Sequence, residues 1–152
     1  MLRSLIVAVG ADHGGVVLKN RLAAALLQAG HRPLDFGTDG TASVDYPDFA
    51  QAVCRAVMQA EADFGILVCG SGIGMSIAAN RFGAIRCALA HDITTARLAR
   101  AHNNANVLAL GARTTGEDVA LDILGAFLAT AYEGGRHDRR IAKLNQPSEQ
   151  NT

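Results

Sequence analysis

The chain runs to 152 residues, about one domain's worth, and 49% of them are hydrophobic, enough to bury a core at this size. Fourteen basic residues balance fourteen acidic ones, which argues against general nucleic-acid or membrane-surface binding and requires any anionic partner to be held by a local cluster. Three cysteines, Cys54, Cys69 and Cys87, form no CxxC and no close pair, so no disulfide framework is expected and a reducing, cytoplasmic compartment is.

Arg3 ahead of Leu5-Ile-Val-Ala-Val has the outline of a signal peptide. The apolar run is short, however, and passes straight into Asp12-His13-Gly14-Gly15, so a buried first strand is predicted. No run approaches the ~18–20 apolar residues of a membrane span. Leu18, Leu22, Ala25 and Leu26 then fall at helical spacing, with Gly30 as the stop. Arg32 to Phe36 predicts a weaker second strand, and Asp45 with Pro47 opens a helix whose inner face is Phe49, Val53, Ala56 and Val57. Phe64 to Val68 is the third strand, followed by the glycine-rich turn Cys69-Gly-Ser-Gly-Ile-Gly74 and a short helix over Ser76 to Asn80. Arg86 to Ala90 predicts strand four, Asp92 caps a helix to about Ala101, and Asn106 to Leu110 is strand five. Thr114-Thr-Gly-Glu117 spells a capping box before Val119, Ile123, Ala126 and Phe127. A last helix covers Arg136 to Leu144, and residues 146–152 read as a frayed polar tail. Strands alternating with helices predict an α/β fold: a three-layer α/β/α sandwich with a five-stranded parallel, Rossmann-like sheet, in a single domain of residues 1–145.

Ligands of such sheets bind beyond the carboxyl ends of the strands. Asp12-His13, Cys69, His91-Asp92 and Arg113 all fall at those ends. A free thiol is commonly a buried structural residue. At Cys69 the functional reading outweighs that one, because three glycines between 70 and 74 let successive N–H groups point into one cavity, favouring a thiolate and an oxyanion. Cys54 and Cys87 lack this context and read as structural. The loop does not match GxGxxG, and Gly10 to Gly15 lacks the Lys-Ser/Thr ending of a P-loop. Asp35, at the end of strand two, is a weak candidate for a ribose-binding acid without that fingerprint. His102-Asn103 closes the fourth helix, and His102 reads equally as an acid/base group or as a surface histidine. Asp12 and His91-Asp92 have the alternative reading of helix caps. Arg136 and Arg140 share a helical face, able to clamp a phosphate or merely to be solvated, with Gly134-Gly135 setting the start of their helix. The five histidines are scattered, with no HxxxH, no HExxH and no cysteine partner, so no metal and no cofactor are expected.

Gly10-Ala-Asp-His-Gly-Gly15, Asp45-Tyr-Pro47, Gly65 to Gly74, Ile77-Ala-Ala-Asn80, His102-Asn103, Asn106-Val-Leu-Ala, Gly111-Ala-Arg113 and Glu133-Gly-Gly-Arg-His-x-x-Arg140 follow one another in a set order. In these pieces the sequence resembles the type B ribose-5-phosphate isomerases and the related galactose-6-phosphate isomerase subunits. The resemblance implies a metal-independent aldose–ketose isomerase of the pentose phosphate pathway, a homodimer or dimer of dimers with sites shared between subunits. It implies that Cys69 shuttles the proton between C1 and C2, that Gly70, Ser71, Gly72, Ile73 and Gly74 hold the enediolate oxygens, and that Asp12 and His102 open the furanose ring. His13, Arg113, Arg136 and Arg140 would receive the phosphate and Asn103 the sugar, with Tyr46 and His137 also substrate-binding. Ser71 stands where the family often has Thr. Members without the cysteine use a carboxylate early in the next helix, where this chain has Met75, so it falls in the cysteine branch. Two alternatives stand beside this: the same chemistry on a tetrulose, allose or galactose phosphate, and a non-catalytic phosphate- or nucleotide-binding module.

Overall fold

The computed structural model describes residues 3–145, in which strand and helix alternate until two helices follow the last strand. Strand β1 (Ile6–Ala11) leads to helix α1 (Val16–Gln28), β2 (Arg32–Asp35) to α2 (Tyr46–Met58), and β3 (Phe64–Cys69) to α3 (Ile73–Ala79). Strand β4 (Cys87–Leu89) leads to α4 (Ile93–Asn103), and β5 (Val107–Gly111) to α5 (Glu117–Ala129) and α6 (Arg136–Leu144). All strand pairs are parallel, in the order β2-β1-β3-β5-β4.

Burial explains this order. β1, β3 and β5 are apolar throughout and take the centre, where both faces are covered. The edges go to β2, which contains Pro33 and so lacks one ladder donor, and to β4, which is three residues long and half-buried. Side chains alternate between the two faces. Val7, Val9, Ile66, Val68, Leu108 and Leu110 pack under α1, α4 and α5. Ala8, Leu67, Cys69, Val107 and Ala109 pack under α2 and α3, so Cys69 belongs to the second face.

Several local expectations change. The capping box does not form: α5 starts at Glu117 with Gly116 as its cap, because the N–H groups of Thr114 and Thr115 are committed to the Gly111 carbonyl at 3.3 and 3.0 Å. Glu117 instead pairs with Arg21. Val119 is 44% exposed, since Ala120, Ile123, Leu124 and Phe127 form the buried stripe. On α2, Cys54 is buried in the core while Phe49 and Val57 flank it half-exposed. Helix α3 begins at Ile73, absorbing the end of the glycine turn. The polar tail at 146–152 lies outside the described residues.

Lys19 is the least expected core residue. Its side chain is 1% exposed, and Nζ donates to both Asp35 carboxylate oxygens at 2.7 and 2.9 Å and to the Thr38 carbonyl at 2.8 Å. These three acceptors match the three donors of an ammonium group. Asp35 also accepts the Gly37 N–H at 2.8 Å, so its carboxylate, though 45% exposed, is already committed to Lys19 and to its own turn and not held out for a ribose. The segment that Lys19 anchors is bonded to the end of β1, with Ala11 N–H to Gly37 O at 2.8 Å and Thr38 N–H to Ala11 O at 2.7 Å.

Candidate active site

From β1 the chain builds β2 on one side, then crosses to place β3 on the other. The loops leaving β1 and β3 therefore diverge, and a crevice opens between their carboxyl ends. Asp12, His13 and Gly14 enter it from β1, Cys69, Gly70 and Ser71 from β3, and Arg113 and Thr114 from β5, with Tyr46 and Gly74 completing a cleft of about 320 Å³. A hollow of about 540 Å³ between α1 and α5 is larger but mainly apolar. Convergence of polar groups, not size, marks the candidate site.

The cleft is tied together through backbone bonds. Asp12 N–H donates to Val68 O at 3.2 Å, joining the ends of β1 and β3. Asp12 Oδ1 accepts the Gly14 N–H at 3.0 Å, and His13 Nδ1 accepts the Val44 N–H at 3.2 Å, holding the approach to Tyr46. From the β5 side, Ala112 N–H reaches Cys69 O and Arg113 N–H reaches Gly70 O, both at 2.9 Å. The Arg113 side chain lies over Gly70, where a Cβ would stand 3.5 Å from its Cδ.

Cys69 sits at the cleft floor, 5% exposed, and its Sγ accepts the Gly72 N–H at 3.1 Å. That geometry depends on two glycines. Gly72 has φ +76°, and a Cβ there would meet the Leu110 carbonyl carbon at 2.8 Å. A Cβ at Gly74 would fall 2.6 to 3.0 Å from three atoms of the Tyr46 ring. Ser71 Oγ accepts the Ile73 N–H at 3.2 Å, while Ile73 itself is 53% exposed outside the cleft lining. The other thiols fit their structural reading: burial pushes Cys54 up to about 12, and burial and then Cys54 push Cys87 up as well. Asp92 is a helix cap, its carboxylate accepting the Thr95 N–H at 2.7 Å, which holds its pKa below the usual range.

His102, Asn103, Arg136, His137 and Arg140 are not in this cleft. Gly65 pairs with Val107 and Cys69 with Gly111, so the start of β5 lies four strand residues from Cys69, roughly 13 Å at the strand rise. Helix α4 ends just before that start, at the amino end of the sheet, and carries His102 and Asn103 with it. The chain returns there after α5, where Glu133 N–H donates to Ala101 O at 3.0 Å, and α6 packs on α4. Gly134 and Gly135, at φ +66° and +61°, make the turn into α6, on which Arg136 and Arg140 stand exposed one turn apart. Asn103 lines a separate hollow with Arg86 and Cys87. The His102 and His137 rings stack, with centroids 4.4 Å apart and planes at 17°. Glu133 Oε2 lies 3.7 Å from His102 Nε2 and 3.6 Å from His137 Nε2. Two of the histidines scattered in sequence are thus neighbours in space, a proximity that their spacing does not signal.

Sequence reasoning missed Thr114, which lines the cleft but was masked by its apparent capping role, and Glu133, whose spacing from His102 carries no signal. The chemical content of the cleft is a thiol over backbone donors, with a carboxylate, an imidazole and a guanidinium around it.

The profile of the family described as Ribose/Galactose Isomerase matches residues 7–144. The chain is 44% identical over 138 residues to ribose-5-phosphate isomerase B of Escherichia coli, covering 91% of this chain and 93% of that one. It is 41% identical over 141 residues to D-erythrulose-4-phosphate isomerase of Pectobacterium atrosepticum, covering 92% and 93%. A solved ribose 5-phosphate isomerase of Thermotoga maritima superposes with a TM-score of 0.93 at 48% identity, covering 94% of this chain and 99% of that one.

Proposed function

Because this chain belongs to the ribose/galactose isomerase family and is a sugar phosphate isomerase of that family, we propose that it interconverts ribose 5-phosphate and ribulose 5-phosphate through an enediolate. The observation that carries this reading is the position of Cys69 at the cleft floor beside the glycine turn. The similarity to ribose-5-phosphate isomerase B and to solved enzymes of that name supports ribose over other sugars. The relative named for erythrulose 4-phosphate makes a four-carbon substrate the second candidate.

In this mechanism the Cys69 thiolate removes the C2 proton of the open-chain aldose. The C2–H electron pair becomes the C1=C2 double bond of the enediolate, and the carbonyl pair moves to O1. A proton then passes from the C2 hydroxyl to O1, and as the O2 electron pair forms C2=O the C1=C2 pair takes the returning proton at C1, which gives the ketose. Backbone N–H groups of the 70–74 turn stabilise the oxyanion, those of Gly72 and Ile73 having first to leave Cys69 Sγ and Ser71 Oγ, and each such donor is worth on the order of 10²–10³ in rate. A positioned base contributes about 10²–10⁴. Neither step calls for a metal or a cofactor.

Asp12 and His102 open the ring, His13, Arg113, Arg136 and Arg140 bind the phosphate, and Tyr46, Asn103 and His137 contact the sugar. One chain cannot bring these groups to one place, because α4 and α6 hold His102, Asn103, Arg136, His137 and Arg140 at the other end of the sheet from Cys69. The proposal therefore includes a homodimer, alone or within a dimer of dimers, in which this second set faces the partner's cleft. No described helix is long and apolar enough to cross a membrane, and a cytoplasmic enzyme of the pentose phosphate pathway completes the proposal.

Complementation tests both parts. Cys69→Ala should lower kcat by at least ~10² with KM little changed. Mixing it with inactive Arg140→Ala after dissociation and reassociation should restore activity. Random pairing makes about half the dimers mixed, each with one intact site, so roughly a quarter of all sites recover. Proven mixed dimers without recovered activity would refute the shared site. A wild-type enzyme that leaves ribose 5-phosphate unturned but accepts another aldose phosphate of four to six carbons would reassign the substrate.

A further inference from the structure

Among the described residues, one cluster has metal-ligand chemistry: His102, Glu133 and His137, whose ligand atoms all lie within 4.8 Å of one another. We propose that this cluster binds a divalent transition ion of the zinc type, and that the bound ion inhibits the enzyme by occupying His102. The proposed mechanism uses no metal, so this is a regulatory site laid over part of the substrate-binding set. Binding stands on the cluster alone, whereas inhibition rests on the function proposed for His102.

Distances favour an ion over hydrogen bonds. Glu133 Oε2 is 3.7 and 3.6 Å from the two Nε2 atoms, beyond hydrogen-bond range. Two ligands held at 2.0–2.1 Å on a tetrahedral zinc are about 3.3 Å apart, so each carboxylate–imidazole contact need close by only a few tenths of an ångström, and the two imidazole nitrogens, within 4.8 Å of each other, are brought in by the movement of His102. Two imidazoles and one carboxylate leave a fourth position for water, and this donor set suits zinc or cobalt better than calcium or magnesium, which want more oxygens.

The three residues come from different elements whose backbones are fastened together. Glu133 N–H is bonded to Ala101 O on α4, and Tyr132 donates to Asp138 Oδ1 on α6 at 2.6 Å. The His137 side chain is 7% exposed and fixed by packing, while His102 and Glu133, at 36% and 58%, are free to adjust. Adjustment is required, because nearly parallel rings do not aim both lone pairs at one point. Rotation of His102 about its Cβ–Cγ bond supplies it. Arg136 and Arg140 on the same helix oppose a cation, so affinity below that of a dedicated structural zinc site is expected.

The test titrates Co²⁺ into the intact protein and follows its visible ligand-field absorption, with Zn²⁺ added as a competitor. One Co²⁺ per chain is expected, displaced by Zn²⁺. Glu133→Gln and His137→Gln should each weaken binding by at least about tenfold, as losses around a metal site do. No ligand-field band, a band unchanged in both variants, or a thiolate charge-transfer band that vanishes in Cys69→Ala would each overturn the site. In the activity arm, Zn²⁺ should inhibit the wild type at concentrations where it displaces Co²⁺, and inhibit Glu133→Gln at least about tenfold less readily. Saturation of the cluster with turnover intact would refute the inhibition while leaving the site. An enzyme inactive on every sugar phosphate would refute the function, with the cobalt spectrum still reporting on the cluster.

Discussion

Replacing Lys19 with methionine removes a buried charge while keeping a side chain of similar length, so the core is not hollowed out. Three bonds vanish, at 2.7, 2.9 and 2.8 Å. Two end on Asp35, which is 45% exposed and can turn to water, so their loss is discounted. The third leaves the Thr38 carbonyl without its donor, an omission worth about 1–3 kcal/mol where water cannot reach. Against this, methionine avoids the desolvation of a buried ammonium, and such swaps can come close to neutral. The balance predicts a loss of about 1–3 kcal/mol for Lys19→Met. At this chain length each kcal/mol moves the melting temperature by roughly 2–4 °C, so a drop of about 2–12 °C is expected. Lys19→Ala adds a cavity and should fall further by at least about 1 kcal/mol. Urea titration at fixed protein concentration is the assay, with the m value unchanged. A Lys19→Met protein as stable as its parent would show that the triple contact contributes nothing net, and would refute the role given to Lys19.

Thiol reactivity should separate the three cysteines. With its pKa raised to about 12 by burial, Cys54 is roughly one part in 10⁴ thiolate at pH 8, and the thiolate is the reactive form. Iodoacetamide should therefore label Cys69 first, with sugar phosphate protecting it, and faster mapped labelling of Cys54 or Cys87 would contradict the assignment. Gly74→Ala places a methyl against the Tyr46 ring, which is 39% exposed and able to swing outward. The helical gain of alanine over glycine, about 0.5–1 kcal/mol, offsets that strain. Melting should then change little while kcat/KM falls, whereas a large loss of stability with normal kcat/KM would mean that Tyr46 does not shape the site.

The three central strands were legible because their apolar runs have no polar alternation, and α6 begins and ends at the predicted residues. Strand order was not, since the partner of a parallel strand is chosen by the crossover and by burial at a distance. Hence β5 lies inside β4 against the order of the chain. Cys69, Asp12, His13 and Arg113 could be gathered from the rule that function sits at the carboxyl ends of strands. The same rule separates His102, because the helix that carries it runs back to the opposite end. Lys19 was illegible for another reason: its pattern position beside Leu18 and Leu22 marks a helix flank, and only the placing of α1 over the end of β2 turns it inward. Thr114 and Thr115 satisfied a local capping pattern that the Gly111 carbonyl outcompeted.

The glycine floor of the cleft has an evolutionary corollary. Side chains at 72 and 111 would strike backbone, and one at 74 would strike Tyr46, so single mutations can do little there except harm. The connection between β2 and α2 is different: residues 39–43 are exposed, and Tyr46, just beyond them, leans over Gly74. Under the proposed function, a lineage built on this scaffold would keep the residues around Cys69 almost unaltered while its preference for longer or shorter sugars drifted through that exposed connection. Selection for a new substrate should therefore return changes around 39–46, and leave the turn after β3 untouched.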